Sequence, residues 1–93
     1  MPNGKPRWTD EARRDLAAIL AYIATDNPDA ALSLLDRIED RTDRLPAQPL
    51  AHRTGRLSGT RELVVHPNYI VVYAVADGDV TILRILHSAR NWP

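Results

Sequence analysis

At 93 residues, with 44% apolar and 26% charged side chains, the chain has the composition of one small globular domain over residues 1–93 and is too short for a second hydrophobic core. Twelve Lys and Arg balance twelve Asp and Glu and the sequence pI is about 6.8, which disfavours a protein whose whole surface grips a phosphate backbone. The absence of cysteine excludes disulfides and thiolate chemistry, as expected of a cytoplasmic protein. The even balance hides an asymmetry: residues 1–45 carry seven basic and nine acidic side chains, whereas residues 46–93 carry five and three, together with His52, His66 and His87. An anion-facing or chemistry-bearing surface is expected in the second part.

The run from Met1 to Lys5-Pro6 has no apolar stretch behind its charges, so no signal peptide is expected there. A short strand is expected around Arg7 and Trp8. Thr9 is placed to cap a first helix, with Asp10 and Glu11 in the first turn, where acids favour the positive end of the helix dipole. Ala12, Leu16, Ile19, Leu20 and Ile23 recur at the three-and-four spacing of one buried stripe, predicting a helix to about Thr25. Asn27-Pro28 then ends that helix and starts another, since proline disfavours helix in the residue before it and suits the first turn itself. The second helix presents Ala31, Leu34, Leu35, Ile38 and Leu45 on one side and a mixed charged surface on the other, completing an antiparallel hairpin.

Leu45-Pro46 to Gly59 is expected to be a loop bearing His52, Arg53 and Arg56. The β-branched and aromatic enrichment of residues 60–65, 69–76 and 80–86, with short connections, predicts an antiparallel meander of three strands. The longest apolar run, Tyr69 to Ala76, is far shorter than the roughly 20 residues of a membrane helix, so no membrane partner is expected. Both alternating sets of that run are apolar: Tyr69, Val71, Tyr73 and Val75 on one side and Ile70, Val72, Ala74 and Ala76 on the other. A helical hairpin covers one face of a sheet. The second face is therefore expected either to meet a protein partner or to lie under the loop of residues 46–59.

The tail His87-Ser88-Ala89-Arg90-Asn91-Trp92 places an imidazole, a guanidinium and an indole within six residues. With Arg61, and with Arg53 or Arg56 completing an anion pocket, such a group has the chemistry to assist attack of a ribose 2′-hydroxyl on its own phosphate without a metal. Arg84 sits among apolar neighbours and needs a partner if buried. The three histidines are too far apart in sequence for a zinc site, and no phosphate or dinucleotide loop is present, so no metal or cofactor is expected.

Trp8-Thr9, Asp15-Leu16, Tyr22-Ile23, Asn27-Pro28, Gly59-Thr60-Arg61-Glu62-Leu63, Tyr69-Ile70-Val71-Val72-Tyr73 and the closing His87 to Pro93 follow one another in an order that resembles the ParE branch of the RelE/ParE toxins of type II toxin–antitoxin systems. The resemblance implies an α+β fold, β-α-α-β-β-β, with a two-helix antiparallel hairpin packed on a small antiparallel sheet. It implies a toxin of a plasmid-stabilisation or growth-arrest system, neutralised by a ribbon-helix-helix, ParD-like antitoxin through which operator DNA is met only indirectly. Tyr69, Val71, Tyr73, Ile82 and Arg84 are the expected antitoxin contacts. ParE-type toxins act on DNA gyrase, with Arg53, Arg56, Arg61, Arg90 and Trp92 as the expected target contacts here and no catalysis by the chain itself. RelE-like relatives instead cleave mRNA on the ribosome, which would give catalytic roles to Arg61, His87 and Arg90. A third alternative is an inert toxin retained only as an antitoxin-binding module.

Overall fold

A computed structural model of the chain describes residues 4–89. The elements run β1 (Arg7–Trp8), α1 (Asp10–Asp26), α2 (Pro28–Asp43), a short 3-10 turn (Leu45–Ala47), β2 (Arg53–Thr54), β3 (Thr60–His66), β4 (Tyr69–Ala76) and β5 (Asp79–His87). They form one five-stranded sheet in the order β1-β5-β4-β3-β2 with the two helices on one face, an α+β fold. The meander β3-β4-β5 is antiparallel as expected. The strand expected around Arg7 and Trp8 is present as β1, but it pairs parallel with β5, so the sheet is mixed and not purely antiparallel, and the unforeseen two-residue β2 pairs antiparallel with β3.

The predicted caps are in place. Thr9 Oγ1 accepts the Ala12 N–H at 3.0 Å and donates to Leu83 O at 2.9 Å, so one side chain both starts α1 and fastens it to β5. Asn27 ends α1 through its N–H to Ile23 O and starts α2 by accepting the Ala30 N–H on Oδ1 at 3.0 Å, with Pro28 in the first turn. Between β4 and β5 the two-residue turn Asp77-Gly78 has φ of 53° and 80°, the left-handed pair that matches the twist of a tight hairpin.

The core lies between helices and sheet, where Ala12, Leu34, Ile38 and Leu45 meet Leu63, Val65, Tyr69, Val71, Tyr73, Val80, Ile82 and Ile85. The second face carries Ile70, Val72 and Leu86, and they too are buried, at 7%, 0% and 4% exposure. This face is therefore not a broad open apolar patch; Val64, at 44%, is the large apolar residue of these strands that stays exposed. Part of this cover comes from the Arg-rich loop. Its first half sits on the helix side, where Pro49 O accepts the Tyr73 hydroxyl at 2.8 Å. Its second half crosses the sheet edge at β2 and is tied to the other face through Glu62, which lines one small crevice with Arg56, Ile70, Val72 and Leu86.

Candidate functional site

The strand registers decide which of the expected site residues can act together. Arg61 lies opposite Tyr73 and His87 opposite Tyr69, so the two are two strands apart across the sheet and four residues apart along it. At about 4.8 Å per strand and 3.3 Å per residue, their backbones are separated by roughly 16 Å. Arg61 is also committed elsewhere: its guanidinium donates to His52 O at 2.7 Å and Leu50 O at 3.4 Å, holding the loop down on the helix side. Of the expected catalytic group of Arg61, His87 and Arg90, the first two thus stand on well-separated backbone, with Arg61 turned to the loop. Arg90 and Trp92 fall outside the described residues.

Arg53 and Arg56 do not join Arg61 in an anion pocket, because alternation along β3 sends Arg61 to the helix side and Glu62 to the other face. Glu62, 5% exposed, takes the Arg53 Nε and Nη2 protons on one oxygen at 3.2 and 3.0 Å and the Arg56 N–H on the other at 3.2 Å. A buried carboxylate is acceptable only when its charge and lone pairs are matched, and here a guanidinium and a backbone N–H do so. Close by, Gly55 is required sterically: a Cβ there would overlap Thr60 Oγ1.

The residues expected to meet an antitoxin have a different position. Val71, Tyr73 and Ile82 are fully buried under the helices, so these three are core side chains and not an accessible partner surface, while Tyr69, 9% exposed, packs in the core and also lines a cleft at its end of the sheet. Their apolar alternation, taken as a sign of a partner, is explained by a core on one side and the strapped loop on the other. Arg84 has its partner in Asp15 of α1, with Nε to Oδ2 at 2.7 Å and Nη2 to Oδ1 at 3.1 Å. Asp15 Oδ2 also accepts the Ile85 N–H at 2.9 Å, closing the edge of β5 beyond the end of β1. The hydrogen-bonded carboxylate holds the guanidinium protonated above its ordinary range, burial pulling the other way.

At the Tyr69 end of the sheet three aromatic side chains line up across β3, β4 and β5. The His66 ring is 5.6 Å from that of Tyr69 and tilted, and the His87 ring is 5.5 Å away on the other side, edge to face. Each imidazole accepts a turn N–H on Nδ1, His66 from Asn68 at 3.0 Å and His87 from Ala89 at 3.1 Å, which assigns the ring proton of the neutral form to Nε2. Beside His66, between the tip of the hairpin and the β3–β4 turn, a cleft of about 580 Å³ is lined by Tyr22, Ile23, Leu34, Arg37, His66 and Tyr69 among others. Nothing in the spacing of these residues along the chain announces the cleft; α2 and the β3–β4 turn meet there only in the folded molecule.

The family described as the ParE toxin of type II toxin-antitoxin system, parDE, matches residues 7–92. The chain is 42% identical over 94 residues to Y4kP of Sinorhizobium fredii, spanning 100% of this chain and 97% of that protein. It is 45% identical over 85 residues to the toxin RelE2 of Caulobacter vibrioides, spanning 89% and 93%. Among solved structures, a chain of the chromosomal ParDE TA system from P. aeruginosa superposes with a TM-score of 0.78 at 26% identity, covering 90% of this chain and 95% of that one. The chain thus belongs to the ParE toxin family of type II toxin–antitoxin systems, within the wider ParE/RelE superfamily.

Proposed function

We propose that the protein, acting as one toxin domain over residues 1–93 in the cytoplasm, inhibits DNA gyrase and is neutralised by a ribbon-helix-helix, ParD-like antitoxin. The observation that carries the gyrase reading over mRNA cleavage is the separation of Arg61 from His87, with Arg61 occupied on loop carbonyls. Metal-free cleavage of RNA needs its acid, base and phosphate-binding groups within reach of one phosphodiester. The crevice beside Glu62, which brings Arg56 near His87 and Ser88, is too small for a nucleotide, and the Glu62 carboxylate is already matched. The acidic excess of the helices further opposes an RNA-covered surface. An antitoxin partner is supported by the type II family membership and by the likeness to a chain of the P. aeruginosa ParDE system.

On the other side stands the name of the Caulobacter vibrioides relative, RelE2, which favours ribosome-dependent mRNA cleavage as the second reading. One experiment separates the two. Purified protein is incubated with gyrase, ATP and relaxed plasmid, and in parallel with a translating extract whose mRNA is mapped by primer extension. Loss of supercoiling or trapped linear DNA, with intact mRNA, is expected. Undisturbed supercoiling together with new mRNA 5′ ends would overturn the gyrase reading, and silence in both assays would leave an antitoxin-binding module.

A further inference from the structure

The cleft between the helical hairpin and the β3–β4 turn has a one-sided inventory. Its walls hold one cation, Arg37, and no carboxylate. Arg37 is exposed and makes no hydrogen bond or ion pair with another described residue, in contrast to Arg53, Arg61 and Arg84. His66 spends Nδ1 on the Asn68 N–H, which leaves its Nε2 edge to donate. Tyr69, nine-tenths buried, lines the same cleft, and its hydroxyl has no hydrogen-bond partner among the described residues. A hydroxyl in the wall of a cleft with no partner from the fold keeps its donor and its acceptor for a group that enters from outside. Around these donors, Tyr22 at 79% exposure, Ile23 and Leu34 supply apolar wall.

We propose that this cleft docks an acidic segment of a protein partner, with one carboxylate received by Arg37, His66 Nε2 and the Tyr69 hydroxyl and a neighbouring bulky apolar side chain set against Tyr22, Ile23 and Leu34. The donor set fits a single anion. A nucleic-acid backbone fits less well, because α2 carries Asp29, Asp36, Glu39, Asp40 and Asp43 against Arg37 and Arg41, and a run of phosphates would lie along that acidic surface. The proposal deepens the toxin–antitoxin reading by giving the contact chemistry of a partner, and rests on it only for the partner being a protein.

The test uses the full chain alone, without gyrase or antitoxin, so its outcome is independent of the supercoiling assay. The isotope-labelled protein is titrated with acetyl-Leu-Glu-Trp-amide, with the Gln counterpart of that peptide, and with an oligothymidylate, following backbone amide shifts. The Glu peptide is expected to move Ser33, His66, Asn68 and Tyr69 and to bind about tenfold more tightly than the Gln peptide, the worth of one partly exposed charge-assisted hydrogen bond. Arg37→Ala is expected to abolish that difference, and Tyr69→Phe to weaken the Glu peptide about threefold while leaving the rest of the spectrum in place. Equal binding of the two peptides, or no shifts at the cleft, would overturn the proposal. Tighter binding of the oligothymidylate at the same residues would replace it with a nucleic-acid site.

Discussion

At the Tyr73 end of β4 the polar side chains are consumed by the fold, whereas at the Tyr69 end, on the same face, similar side chains are left with donors to spare. Arg61 and the Tyr73 hydroxyl both donate to carbonyls of the loop, at His52 and Pro49. Arg37 and the Tyr69 hydroxyl, beside the cleft, have no such carbonyl to meet. The difference comes from the chain's path: the proline-rich loop lies across one end and brings its carbonyls within reach of Arg61 and Tyr73, while no such loop crosses the other end, which faces the tip of the helical hairpin. Residue type alone therefore does not separate a structural arginine from an available one. What separates them is whether unsatisfied backbone lies within reach.

Substitutions sharpen this contrast, and the largest effect is expected where a polar cluster is closed on all sides. Asp15→Ala strands the Ile85 N–H and takes the carboxylate from a guanidinium that is only 28% exposed, and should lower unfolding stability by about 3 kcal/mol in urea titration. Glu62→Ala should cost about 2 kcal/mol, less because Arg53 is 56% exposed and can return to water. Trypsin should then cut faster after Arg53 and Arg56 as the strap loosens.

Arg61→Ala is expected to cost about 1.5 kcal/mol and Tyr73→Phe about 1 kcal/mol, through loss of the loop contacts. Tyr73 also gives a pH signature. Burial raises its folded titration above the ordinary 10.0, the Arg61 charge pulling the other way. A raised acid contributes stability that is fully present below about pH 10 and is lost as pH rises through the folded value. Alkaline unfolding should therefore be shallower in Tyr73→Phe than in the native chain. The smallest stability change is expected at the cleft: Arg37→Ala should shift stability by no more than about 0.5 kcal/mol, since Arg37 makes no hydrogen bond or ion pair with another described residue. A loss near 2 kcal/mol there would show that the cleft is as structural as the Tyr73 end.

The sequence was sufficient where the physics is local. Thr9 and Asn27-Pro28 mark helix ends because caps and proline act on adjacent backbone. The apolar stripes place the helices, and β-branched runs with an Asp-Gly turn place the meander, because those periods belong to the elements themselves. The parallel pairing of β1 with β5 was not legible, since a two-residue strand has no period. The partner of Arg84 was not legible either, because Asp15 lies 69 residues away. The misassigned partner surface has the same origin: alternation shows that both faces of β4 are apolar but not what covers each. Only the tertiary structure put the loop astride the sheet edge, Arg61 far from His87, and Arg37 beside Tyr69. Each of these depends on register and on contacts between distant segments, which no local pattern encodes.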